Sequence, residues 1–173
     1  LPLSEVVIRL LGAAAVGTAL GLNRDLRHKP AGVRTHALVG IGAALAVIVT
    51  LRLGPTGGSD GAAVSRVVQG IITGIGFLGA GVILRPGERT VRGLTTAATI
   101  WVTAALGIAC GIGAWRDALV TTALVLTVLV LGGPLERLTH RLVGNSGSKP
   151  PAPSPTTAAR PESGVRGRGD RRG

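Results

Sequence analysis

The 173-residue chain holds one Cys, one Phe, two Trp, and neither Met nor Tyr. A single Cys excludes an intrachain disulfide framework and any multi-cysteine metal site. The missing initiator Met points to a trimmed or non-standard start. Acids are scarce as well: 8 Asp and Glu stand against 19 Lys and Arg, a formal charge of +11. Those acids are Glu5, Asp25, Asp60, Glu88, Asp117, Glu136, Glu162 and Asp170. No two of them can meet at one bilayer depth within a monomer. That argues against an oxygen-ligand site for Mg²⁺ or Ca²⁺, unless an oligomer gathers several copies of Asp25.

Charge is rarest where the apolar residues gather. Hydrophobic residues make up 46% of the chain, mean hydropathy is +0.47, and uncharged runs cover 10–23, 35–51, 67–84, 93–115 and 118–135. A spanning helix needs about 20 residues, so four runs qualify directly. The first qualifies if Arg9 snorkels and the helix reaches back towards Leu3. The runs do not alternate, which leaves helices as the way to satisfy the backbone in lipid. The expected fold is all-α: a polytopic membrane protein with a five-transmembrane-helix bundle and a disordered C-terminal tail. The helices are expected at about 3–22, 36–53, 66–84, 93–113 and 118–135, within a transmembrane domain of 1–143. The first run is read as a retained helix, because Glu5 and Arg9 precede it rather than a positive cluster and four more spans follow.

Basic residues set the expected orientation. Arg24, Arg27, Lys29 and Arg34 lie in the first connection, and Arg85, Arg89 and Arg92 in the third. The C-terminal segment adds Arg137, Arg141, Lys149, Arg160, Arg166, Arg168, Arg171 and Arg172. The other side has Arg9, Arg52, Arg66 and Arg116 beside three acids. The N-terminus is expected outside and the C-terminus in the cytoplasm. Residues 144–173 are rich in Pro, Gly and Arg, with almost nothing to bury, and should be disordered. The arginine–glycine ending resembles RNA-contacting segments but lacks aromatics for base stacking. Solvated charge beside anionic lipid is the preferred reading, and nucleic acid is not an expected partner.

Gly74-Ile-Gly76-Phe-Leu-Gly79 matches the dinucleotide pattern G-x-G-x-x-G. That chemistry needs a strand before the glycines and a water-exposed helix N-terminus. Here the pattern lies inside an uncharged run, so the glycines are read as helix-packing positions instead. Gly70 with Gly74 and Gly81, Gly17 with Gly21, and Gly107 with Gly111 repeat the small-residue spacing that lets helices approach in lipid. Thr95, Thr99 and Thr103 recur every fourth residue, with Thr96 beside them. Their hydroxyls can bond the carbonyl one turn back, reach Gln69 or Thr73, or line a polar path. Cys110 reads as a small packing residue.

The most distinctive polar stretch runs from Asn23 to His36. Pro30 and Gly32 enforce a turn. Asp25 among Arg24, Arg27 and Arg34 would make an ion-pair lock between two helices, the alternative being an ordinary positive loop. His28 and His36 without acidic neighbours make a weak metal site. No Ser–His–Asp set, Cys–His pair or carboxylate pair appears at membrane depth, so no enzyme, cofactor or metal is expected.

Four linked stretches carry a resemblance: Gly21-Leu-Asn-Arg-Asp-Leu26, Lys29-Pro-Ala-Gly-Val-Arg-Thr-His36, Gly70 with Gly74-Ile-Gly-Phe-Leu-Gly-Ala-Gly-Val-Ile83, and Val91-Arg-Gly-Leu-Thr-Thr-Ala-Ala-Thr-Ile-Trp101. In order and spacing they resemble the MgtC/SapB family of bacterial inner-membrane proteins, over roughly Leu3 to Leu131. The resemblance implies a five-helix membrane domain and a link to growth at low Mg²⁺ and survival inside macrophages. It also implies a regulator of a membrane partner, with the F-type ATP synthase as candidate. Two departures stand out. The family usually has Glu where this chain has Asn23, and virulence-type members carry a cytoplasmic ACT-like domain where this chain has its basic tail. The expectation is a non-enzymatic regulator, alone or as a homo-oligomer, in the bacterial cytoplasmic membrane. Asn23, Arg24, Asp25, Arg34 and Thr35 would form the lock. Arg92, Thr95 and Thr96 would line the neighbouring helix end, and His36 and Thr99 complete the candidates. The alternative is a transporter for Mg²⁺ or another ion or small solute, with Thr99 and Thr103 along its path.

Overall fold

The computed structural model describes residues 1–53, 61–83 and 93–143, with side chains as far as 134. Arg85, Arg89, Arg92 and the 144–173 tail lie outside the described residues. Five helices follow in order: α1 (Leu3–Leu26), α2 (Val33–Leu53), α3 (Gly61–Ile83), α4 (Leu94–Ile112) and α5 (Trp115–Val143). All five are long and apolar enough to cross a membrane, and no strand occurs among the described residues.

α4 is the centre of the bundle. Ten of its residues are buried, among them Thr96, Thr99, Thr103, Gly107, Cys110 and Gly111, and it packs on each of the other four helices. The glycines explain how closely these helices pack. A Cβ on Gly17 would lie 2.5 Å from the His36 carbonyl oxygen, and one on Gly111 2.8 Å from that of Ala44. Gly21 likewise abuts the backbone of Gly32 and Val33, and Gly107 that of Gly40. Gly40 in turn faces both the Ala13 carbonyl of α1 and the Thr103 methyl of α4, so α1, α2 and α4 meet along this face. In lipid such contact is favoured by dispersion rather than by release of water.

α3 packs differently. It lies on α2 and α4 through Val67, Val68, Ile71, Ile72 and Ile75. Gly70, Gly74, Gly76 and Gly81 fall outside that branched apolar stripe, and a Cβ on any of them would meet nothing within 4 Å among the described residues. Gly79 makes only ordinary contact with Ala97. The small-residue spacing is thus turned towards a close neighbour in α1 and α4 and away from one in α3.

Helix ends differ from the hydropathy boundaries for local reasons. α1 continues a turn beyond residue 22 because Arg24 folds into the bundle rather than into water. Its end is closed by His28 N–H to the Asp25 carbonyl and Lys29 N–H to the Arg24 carbonyl, at 3.0 Å each. The turn places two non-glycine residues in the left-handed region, His28 at φ 51° and Ala31 at φ 58°. α4 stops at Gly113, φ 93°, which turns the chain directly into α5. Arg9 reaches across to this end. Its Nη1 donates to the Gly111 carbonyl at 2.8 Å while its Nε pairs with Glu5 at 2.8 Å.

α5 continues through Pro134 to Val143. A proline cannot donate to the carbonyl four residues back, here that of Val130. Arg27 of the first connection supplies the missing donor, its Nη2 lying 3.1 Å from the Val130 carbonyl oxygen. Proline is tolerated in a spanning helix when another group takes the freed carbonyl.

Candidate site at the junction of α1, α2 and α4

Where α1 ends and α2 and α4 begin, polar side chains are enclosed. Arg24 keeps 3% of its surface exposed and donates through Nη2 to the Thr96 hydroxyl at 2.7 Å. Thr96 sits in the first turn of α4 and is 2% exposed. The bond joins residues 72 positions apart. His36 is fully buried one turn before Gly40, on the face of α2 turned to the other two helices. Its Nδ1 lies 3.0 Å from the Gly32 carbonyl oxygen. A carbonyl can only accept, so Nδ1 carries the proton and Nε2 of the neutral ring is a bare acceptor.

Three buried polar atoms here have no hydrogen-bond partner among the described residues: Asn23 Oδ1, Arg24 Nε and His36 Nε2. Among the described residues the one ion pair is Arg9–Glu5, at the opposite end of α1, so no described carboxylate balances Arg24. Burying a guanidinium unpaired is costly, which sets this junction apart from the rest of the bundle.

Asp25 does not pair with Arg24, Arg27 or Arg34. The carboxylate is exposed, packs on Gly32, and accepts the Val33 N–H at 3.0 Å through Oδ2. It therefore caps the start of α2 from the end of α1, where an N-terminal amide is otherwise unsatisfied and negative charge suits the helix dipole. The two helices are joined by a cap, in place of the expected ion-pair lock. Arg34, Thr35 and Thr95 are exposed, and Asn23 is half-buried. Among the lock residues, the structure brings Arg24 and Asp25 to the α1–α2 boundary and leaves Arg34 and Thr35 facing outwards.

Two of the α4 threonines close on their own helix. Thr99 donates to the Thr96 carbonyl and Thr103 to the Thr99 carbonyl, both at 2.8 Å. The buried stripe runs through Thr96, Thr99 and Thr103 rather than through Thr95. Gln69 and Thr73 are exposed and bond within α3, Thr73 to the Gln69 carbonyl at 2.8 Å and Gln69 to Ser65 at 3.4 Å. Cys110 is buried in the apolar cluster with Ala13, Leu20 and Ala44. No group of three or more His, Cys, Asp or Glu side chains gathers among the described residues.

Sequence reasoning did not single out Gly40, although it continues the His36 register at four-residue spacing. It also missed the Arg27–Val130 bond, whose signal was Pro134 near the end of an apolar run.

These features define a multi-pass membrane protein, helical through its described residues, with a polar junction enclosed at one end of the bundle. The chain belongs to the MgtC family, which matches residues 10–138. It is 49% identical to Protein SrpB of Synechococcus elongatus over 135 residues, covering 72% of each chain. It is 40% identical over 144 residues to Protein MgtC of Salmonella choleraesuis, covering 83% of this chain and 59% of that protein. With Protein MgtC of Brucella abortus the identity is 42% over 134 residues, covering 78% and 54%. The match thus spans little more than half the length of these two MgtC relatives. No solved structure matches the chain.

Proposed function

We propose that the chain is a non-enzymatic membrane regulator that acts by helix contact on another membrane protein. Low-magnesium adaptation and intracellular survival are its setting, and the ATP synthase is the first partner to try. The reading includes residence in the bacterial cytoplasmic membrane, with the N-terminus outside and the tail in the cytoplasm, as the basic connections favour. The observation that carries it is the closure of the α4 threonines. The buried hydroxyls of Thr99 and Thr103 bond their own helix, that of Thr96 is taken by Arg24, and Thr103 is fully buried at the meeting of α1, α2 and α4, so these groups are not left to line a hydrated path. Family membership supports the membrane setting, and the outward face of α3 offers glycine and threonine positions to a neighbouring helix.

The test uses purified full-length protein in liposomes with an internal Mg²⁺ dye, alongside affinity capture of the ATP synthase from solubilised membranes. Capture without protein-dependent Mg²⁺ uptake is the expected result. Saturable uptake that is altered by Thr103→Val would overturn the regulator in favour of a carrier. Failure of capture would remove the ATP synthase as partner.

A further inference from the structure

The orphaned atoms at the junction have a definite chemistry. Arg24 offers a charged donor at Nε, whereas Asn23 Oδ1 and the bare His36 Nε2 ask for donors. The bond from Nδ1 turns the His36 ring back towards Gly32, whose backbone lies against Gly21 of α1, one turn before Arg24. Arg24 is bonded into the first turn of α4, a helix whose start carries no side-chain cap because Gly93 stands before it. A helix N-terminus beside an unneutralised arginine favours an anion. An anion with no hydrogen to give, such as sulfate or chloride, would answer Arg24 and leave His36 unsatisfied.

We infer that this junction binds a phosphate oxyanion that also carries a hydroxyl: protonated inorganic phosphate, or the phosphoglycerol headgroup of an anionic lipid. The oxyanion accepts from Arg24 and from the first-turn amides of α4, and the hydroxyl donates to His36 Nε2. Asn23, next to Arg24 on α1, has the acceptor for a second hydroxyl. Arg27, Lys29 and Arg34 on the same connection raise the local concentration of either form. Sites built around a particular hydrogen-bond donor reject analogues that lack it, because their own polar atoms are then left unpaired. The inference is independent of which membrane partner, if any, the protein regulates.

The experiment follows thermal unfolding of the full-length protein in dodecyl maltoside, titrated with sodium phosphate at pH 7 and with sodium sulfate at matched ionic strength. A parallel arm compares nanodiscs of phosphatidylcholine with nanodiscs holding one-fifth phosphatidylglycerol. A saturable rise in Tm of roughly 5–10 °C at a hundredfold excess over Kd is expected, absent with sulfate. A response to phosphate identifies the free ion, and a response confined to phosphatidylglycerol identifies the headgroup. Arg24→Gln should abolish the rise, and His36→Phe should weaken it at least tenfold or erase the preference over sulfate. If neither variant folds, the wild-type titrations decide. Equal responses to phosphate and sulfate together with no phosphatidylglycerol effect, or no response in any arm, would overturn the inference.

Discussion

The glycine contacts yield a contrast that can be measured with one kind of substitution at two sites. In Gly17→Ala the new Cβ would stand 2.5 Å from the His36 carbonyl oxygen, 2.8 Å from its carbon and 2.9 Å from the Ala37 Cα. All three are backbone atoms of α2, so no rotamer change relieves the overlap. Restoring ordinary contact at 3.4 Å requires α1 and α2 to separate by nearly 1 Å. A gap of about 0.5–1 Å costs a quarter to a half of each atom pair's dispersion energy along the crossing. Overpacking of this kind costs about 1–3 kcal/mol, and contact with rigid backbone belongs near the upper end. The gain in helix propensity from Gly to Ala returns about 1 kcal/mol, so the net loss is about 2 kcal/mol. In Gly74→Ala the Cβ meets nothing within 4 Å, and the propensity gain stands alone. The two variants should then differ by about 3 kcal/mol, roughly 6–12 °C in Tm. Unfolding in mixed SDS and dodecyl maltoside micelles, followed by fluorescence of Trp101 and Trp115, measures both. A Gly17→Ala variant that gains stability as Gly74→Ala does would refute the close α1–α2 crossing. An equal loss in both would mean that the α3 glycines are packed against another helix in the assembled protein.

Asp25→Ala removes the cap on α2 and should cost about 1 kcal/mol, with faster hydrogen exchange confined to the first turn of α2, while Asp25→Asn keeps most of the stability. A double-mutant cycle tests the Arg27–Val130 bond. Arg27→Met should lose about 1 kcal/mol in the parent and almost nothing in the Pro134→Ala background, where the Val130 carbonyl regains its helical donor. His28→Gly and Ala31→Gly relieve left-handed backbone strain of about 1–2 kcal/mol each against the added freedom of the unfolded chain. Each should therefore be neutral to stabilising by up to about 1 kcal/mol, whereas glycine at most other positions of the bundle destabilises. A loss of more than 1 kcal/mol at either site in the same unfolding assay would contradict the strained turn.

The order of residues was enough to count five spans and to place the chain in its family. A spanning segment must satisfy its backbone internally, so its length and lack of charge are local properties that can be read without knowing its neighbours. Four spaced motifs likewise survive as linear patterns. The facing of each helix could not be read in the same way. Lipid and bundle interior are both apolar, so hydropathy does not distinguish the Gly17 face, pressed against α2, from the Gly74 position, where an added Cβ would meet nothing within 4 Å among the described residues. Charge counting placed Asp25 among arginines and suggested ion pairs. The folded turn instead offered it the amide of Val33, a directed bond that a list of charges does not reveal. Arg24 with Thr96, and Arg27 with Val130, are joined across 72 and 103 residues. Such bonds exist because three-dimensional packing brings helix ends to one level, and the buried atoms left over at the junction become visible only then.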